Sequence, residues 1–174
     1  MERSSLSQDD ADLVTGIELL GIDHVGVAVA DLDAAVAFYE QVFGMRCVHR
    51  ETNEEQGTYE AMMAVGHGSP GGGHLQLLAP LAPESVIGRF LDRRGPGIHQ
   101  VAYQVADIEA ASAALRARGV RLLYDEPRRG TAGTRVNFVH PKDAGGVLVE
   151  LVEPAAASPP AGPPTHAGPP EPAR

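Results

Sequence analysis

The sequence predicts an α+β fold built from two tandem β-α-β-β-β modules, and three observations predict it. Residues 22–37 reappear at 98–113, an offset of 76, with eight of sixteen positions identical. Residues 76–80 lie over 150–154 at an offset of 74, so the two copies differ only by a loop change. Each copy also opens with a strand-like alternation, then an acidic cap, a helical apolar stripe and a glycine. Four of the eight identities are Ala in an Ala-rich chain and carry little weight. The ordered match of Val25, Val29 and Asp31 with Val101, Val105 and Asp107 carries the repeat.

The elements follow in order. Residues 1–18 are polar and acidic and are expected to form a flexible N-terminal segment. Residues 24–29 alternate with β-branched side chains and read as a strand. Asp31 is placed to cap a helix whose stripe is Leu32, Ala35, Val36, Tyr39 and Phe43, closed by Gly44. Residues 45–51, 59–65 and 75–79 read as three further strands. Gly71, Gly72 and Gly73 lack phosphate-loop spacing and read as a flexible turn. A connection containing Pro and Gly then leads from module one, about 20–81, to module two, about 97–154. Module two repeats the plan: a strand at 100–105, a helix from Asp107 to Arg118 followed by Gly119, and strands at 120–124, 135–139 and 147–152. The folded domain is expected to span 19–154. Residues 155–174 read as a disordered tail rich in Pro, Ala and Gly, because such a composition buries too little apolar surface to offset the entropy of ordering.

Composition excludes several classes of function. The single cysteine, Cys47, rules out an intrachain disulfide and any cysteine-based zinc cluster. No apolar run reaches the roughly 18–20 residues of a membrane span. A formal charge of −9 argues against nucleic acid as a partner. The expectation is a cytoplasmic protein without a membrane or nucleic-acid partner.

The repeat also supplies a test for function. Two strand-rich modules paired in one domain set equivalent positions face to face. Polar residues at repeat-equivalent strand positions are therefore candidates for a shared site. His24 pairs with Gln100, and Gln76 pairs with Glu150. All four lie in apolar strands, where a polar side chain needs a partner. One imidazole, two amide oxygens and a carboxylate suit a divalent ion such as Co, Ni, Mn, Mg or Zn.

The opening strand, Ile22-Asp23-His24-Val25-Gly26-Val27-Ala28-Val29, resembles that of the vicinal-oxygen-chelate (glyoxalase/dioxygenase) superfamily. Within it the ordered blocks resemble the methylmalonyl-CoA epimerases. These blocks include Glu54-Glu55-Gln56-Gly57, Glu60-Ala61-Met62-Met63, Leu75-Gln76-Leu77-Leu78, Tyr124-Asp125-Glu126-Pro127-Arg128-Arg129-Gly130, and 140–151. The resemblance covers about 20–154 and implies a curved, barrel-like sheet around a metal site. It places the family's metal ligands on His24, Gln76, Gln100 and Glu150. It departs from the family at Gln100, where a second His is usual after His99. By strand alternation His99 is expected to point away from the site. A Gln ligand tilts the site toward harder ions, while the resemblance puts Co2+ first, with Mn2+, Ni2+, Mg2+ or Zn2+ as alternatives.

The implied reaction interconverts (2R)- and (2S)-methylmalonyl-CoA by removing and returning the proton at C2. That requires a base on each face of a planar enolate. The resemblance assigns Glu60 as the first base, in an otherwise apolar strand where burial would raise its pKa. Glu150 is the candidate second base, while Glu54 and Glu55 read as loop residues. The implied partners are an acyl-CoA substrate and a second copy of the chain in a homodimer. Arg93-Arg94, Arg128-Arg129 and Arg135 are candidates for a local basic patch. The rival readings are a glyoxalase I-type lyase and a non-catalytic binding protein of the same superfamily.

Overall fold

The computed structural model describes residues 17–66 and 73–155. The expected N-terminal segment to residue 16, the tail from 156, and Gly71 and Gly72 lie outside the described residues. Eight strands form one curled sheet in the order β2-β3-β4-β1-β5-β8-β7-β6. Module one contributes β1 (Leu19–Ala28), helix α1 (Leu32–Phe43), β2 (Arg46–Asn53), β3 (Thr58–Ala64) and β4 (His74–Pro80). Module two contributes β5 (Gly97–Val105), helix α3 (Ile108–Ala117), β6 (Arg128–Arg129), β7 (Arg135–Val139) and β8 (Leu148–Glu153). Helix α2 (Val86–Arg94) lies between the modules. β1 pairs with β4 in parallel, β5 pairs with β8 in parallel, and the antiparallel β1–β5 ladder joins the halves.

The two repeat helices form for the same local reasons. Asp31 accepts from Ala34 N at 3.0 Å, and Asp107 accepts from Ala110 N at 2.8 Å, each satisfying an orphan donor of the first turn. Gly44, at φ 64°, closes α1 with its N–H on the Glu40 carbonyl, a conformation that costs glycine little. α1 lays Leu32, Ala35, Val36 and Tyr39 on Ala61, Met63 and Leu77. α3 lays Ile108, Ala111 and Leu115 on Val105 and Leu151.

Three elements differ from the sequence expectation, the first being β6, a two-residue strand at Arg128–Arg129 where none was expected. The connection between modules holds α2, capped by Ser85, whose Oγ accepts from Gly88 N at 3.1 Å. A Cβ at Gly88 would lie 2.3 Å from the Pro83 carbonyl oxygen, so glycine lets the first turn pack down on the preceding loop. Ile87 then sits against Ala28 and Leu78, and its burial contributes about 1.5–3 kcal/mol. The expected strand at 120–124 is reduced to one bridge between Leu122 and Val139. Backbone bonds survive from Leu123 N to the Phe138 carbonyl and from His140 N to the Arg121 carbonyl, both at 2.8 Å, but at Tyr124 the Asn137 side chain takes over, accepting from Tyr124 N at 3.3 Å and donating to the Tyr124 carbonyl at 3.1 Å.

Candidate active site

The concave face gathers the expected residues about two small ones. Gly26 on β1 sits between Gln76 on β4 and Gln100 on β5, while Ala102 sits between His24 and Glu150. Gly26 and Ala102 are themselves repeat-equivalent. A Cβ on Gly26 would meet Gln100 Cδ at 2.7 Å, so the missing side chain lets the Gln100 amide cross β1. His24, Gln76, Gln100, Glu150 and Glu60 are all 5% exposed or less, so each needs polar partners within the protein.

Their side chains meet. Gln100 Nε2 donates to Gln76 Oε1 at 3.2 Å and to Glu150 Oε2 at 3.0 Å. His24 Nε2 lies 3.2 Å from Glu150 Oε2, yet it is buried without a hydrogen-bond partner. Its other nitrogen, Nδ1, is held by Asp23 Oδ1 at 2.8 Å. Burial opposes charging of His24, but the Asp23 and Glu150 carboxylates outweigh it and lift the imidazole to about 9.

Glu60 stands beside this cluster on β3. Thr58 donates to its Oε1 at 2.5 Å, and Gln76 Nε2 donates to Oε2 at 3.2 Å. The Thr131 hydroxyl also donates to Oε2. Burial pushes the Glu60 carboxyl up; the two threonine hydroxyls oppose that, and the Glu51 and Glu150 charges reinforce it. Thr131 was not among the sequence candidates. It comes from a 3-10 turn (Thr131–Gly133) of module two whose Ala132, at φ 55°, is the only non-glycine residue with positive φ among those described. The turn is tied to module one through Ala132 N, which donates to Glu51 Oε2 at 3.2 Å. Only the Gly and Thr of 130–134 hint at a tight turn, and no periodicity places it over β3.

His99 departs from expectation. It borders an apolar cavity, and its Nδ1 lies against Gln100 Oε1. The β1–β5 ladder steps from Gly26/Gln100 to Val27/Ile98, so His99 is an extra residue that breaks the alternation. Burial holds His99 below the ordinary imidazole range. The cavity, about 150 Å³, has apolar walls that include Leu78, Ile87, Phe138 and Leu148, with Gln100 and Thr58 at its polar end. Glu55 stays in the exposed 54–57 turn, where Arg128 approaches it at 3.8 Å. Arg135 is engaged by Glu109 and Glu153. Asp107, Glu109 and Glu153 bring carboxylate oxygens within 4.8 Å of one another, two of them engaged by that arginine, and none belongs to the cluster described above.

Residues 23–138 match the family model described as the Glyoxalase/Bleomycin resistance protein/Dioxygenase superfamily. A crystal structure of methylmalonyl-CoA epimerase from Mycobacterium tuberculosis is 51% identical, with a TM-score of 0.76 over 88% of this chain and 95% of that one. A methylmalonyl-CoA epimerase in complex with methylmalonyl-CoA and NH4+ is 49% identical, with a TM-score of 0.77 over 82% of this chain and all of that one, 100%. The ethylmalonyl-CoA/methylmalonyl-CoA epimerase of Cereibacter sphaeroides is 36% identical over 132 residues, 75% of this chain and 95% of its own length.

Proposed function

Because this chain belongs to the glyoxalase/bleomycin resistance protein/dioxygenase superfamily, we propose that it epimerises methylmalonyl-CoA at C2, interconverting the (2R) and (2S) forms. The observation that carries this reading is Glu60, a carboxylate 1% exposed, oriented by two hydroxyls and adjoining a four-residue donor cluster. Relatives at 36–51% identity are epimerases of this class, which favours the reading over a glyoxalase I-type lyase or a non-catalytic binding protein.

The donor set fits a divalent ion. His24 Nε2 is orphaned and faces the cluster, and the other donors are oxygen-bearing groups suited to hard or borderline cations. In this reading His24, Gln76, Gln100 and Glu150 hold the ion, Co2+ first, with Mn2+, Ni2+, Mg2+ and Zn2+ as the other fitting ions. When bound, it supplies Lewis-acid stabilisation of the negative charge that develops on the substrate's thioester oxygen. Glu60 takes the C2 proton on one face of the substrate, its oxygens held by Thr58 and Thr131. Glu150 is the candidate group for the opposite face. Burial suits Glu60 to the exchange, since a carboxyl raised from its usual range binds and releases a proton more evenly near neutrality. The apolar walls of the cavity exclude water from the reacting carbon.

Residues 19–154 form the catalytic domain in this proposal, and the location is the cytoplasm. Among the described residues no helix is long and apolar enough to cross a membrane. A homodimer is the proposed assembly, supported by Leu19, Leu20 and Ile22, which expose apolar surface along the first half of the central strand β1; sedimentation at the monomer mass would remove it. The activity is tested by incubating metal-replete protein with a single epimer of methylmalonyl-CoA in D2O. Deuterium at C2 together with appearance of the other epimer is expected. Absence of both overturns the proposal.

A further inference from the structure

Of the three irregularities of the β1–β5 ladder, the two that lie beside the donor cluster are related by the internal repeat. One step runs from Ile22/Tyr103 to His24/Ala102 and passes over Asp23; the other runs from Gly26/Gln100 to Val27/Ile98 and passes over His99. Asp23 and His99 are equivalent at the offset of 76, and each directly precedes a residue of the donor cluster. A bulge sets two consecutive side chains toward one side of a strand, which alternation forbids. Each bulged residue accordingly touches its neighbour's side chain: Asp23 Oδ1 holds His24 Nδ1 at 2.8 Å, and His99 Nδ1 lies against Gln100 Oε1.

We propose that His99 is the positioning residue of Gln100, performing for that amide what Asp23 performs for the His24 imidazole. An imidazole that is held at Nδ1 can present only Nε2, so Asp23 settles which atom of His24 faces the cluster. A primary amide poses a harder problem, because its oxygen and nitrogen ends have nearly the same shape, and only polar neighbours distinguish them. Gln100 has such neighbours on both sides: Gln76 Oε1 and Glu150 Oε2 within the cluster, and His99 Nδ1 outside it. When the amide turns its oxygen inward as a ligand, its nitrogen is left facing His99, whose Nδ1 accepts from it in the neutral Nε2–H tautomer. The ring is held for this contact by Phe90, edge to face at 5.0 Å and 81°. The inference rests on the divalent-ion reading given above. Its consequence is that a chain with Gln at this position depends on the preceding His for metal affinity.

The test is metal affinity, measured on the full chain by competition with a chromophoric chelator, using Co2+ and Mn2+ separately. His99→Phe keeps an aromatic ring against Phe90 and removes Nδ1. It is expected to weaken both ions about 10–100-fold, the usual cost of losing an outer-sphere partner of a metal ligand, and to alter the visible Co2+ spectrum. His99→Asn, which restores a group able to donate or accept near the Nδ1 position, is expected to recover most of the affinity. In a Gln100→Ala background His99→Phe should change affinity by no more than about twofold, the limit for independent groups. Wild-type affinity in His99→Phe, or an undiminished loss in the Gln100→Ala background, overturns the inference. If His99→Phe does not fold, His99→Leu takes its place in the same cycle. Wild-type protein that binds neither ion overturns the metal reading itself, so the two failures are distinct.

Discussion

The two modules are alike where they surround the site and unlike where they would act on a substrate. His24 and Gln100, Gln76 and Glu150, and the bulged Asp23 and His99 occupy equivalent positions, and all six are polar. Glu60 breaks the pattern. It pairs in register with Leu78, and its counterpart Val136, buried at 1% exposure, pairs with Val152. Module two supplies instead the turn that carries Thr131 across to Glu60. The difference teaches that a duplicated scaffold offers a ligand cage through its symmetry. In the proposed reaction, proton transfer on two faces draws on the broken symmetry, with one carboxyl from β3 and the other from β8.

The largest expected effect lies at the asymmetric position. Glu60→Gln keeps the shape of the side chain and removes the proposed base. Solvent deuterium exchange should fall about 10²–10⁴-fold, with circular dichroism and bound metal per chain unchanged. Turnover near wild type would place the base elsewhere and leave Glu60 no more active than Val136. Next come the symmetric positions. Gln76→Ala and Glu150→Ala each remove a proposed ligand, so metal affinity should drop by more than the roughly 10–100-fold that outer partners cost. Chelator competition measures it, and an unaltered affinity in either variant removes that residue from the proposed cage.

A smaller effect is expected where module two reaches into module one. Thr131→Val deletes the hydroxyl that donates to Glu60 Oε2 and accepts from Gln76 Nε2 at 2.8 Å, and leaves both of those side chains present. Loss of a hydrogen bond to a charged group, about 1.5–3 kcal/mol, sets the scale at roughly 10–150-fold in kcat. KM should change less than kcat, because the hydroxyl touches Glu60 and Gln76 and does not line the apolar cavity. Thr131→Ser should retain most of kcat. A change confined to KM would mean that the turn shapes the cavity rather than positioning Glu60.

Most of this arrangement was legible in the sequence because the repeat could be read before any strand was drawn. The offset of 76 that aligns Asp31 with Asp107 also aligns His24 with Gln100, and the second match, at an offset of 74, aligns Gln76 with Glu150, so the repeat yields both the helices and the four cluster residues. What escaped had physical causes. A bulge adds one residue to one strand and leaves no mark on hydrophobic periodicity, so alternation turned His99 the wrong way. The strand at 120–124 had the right composition, but the buried Asn137 amide took over Tyr124's backbone partners. Helix α2 was concealed by its Pro- and Gly-rich flanks, although Ser85 and the apolar pairs Val86-Ile87 and Phe90-Leu91 carry a helical signature. Thr131 reaches β3 only through closure of the sheet, a contact 71 residues apart in sequence that no local pattern encodes.

The smallest effect tests the symmetric part of the comparison alone. Asp31 and Asp107 cap equivalent helices with the same geometry, an extended Ncap residue accepting from the N–H three residues on. Both lie outside the donor cluster, and α1 and α3 each cover the back of their own half of the sheet. If the modules are equivalent as scaffolds, Asp31→Ala and Asp107→Ala should each cost about 0.5–2 kcal/mol in urea unfolding. The two losses should agree within about 0.5 kcal/mol and add in the double variant, since the sites share no partner. Both single variants should keep wild-type metal affinity. A loss confined to one cap would show that one module bears the stability of the domain while the other folds onto it. The repeat would then describe the chain's geometry but not its energetics.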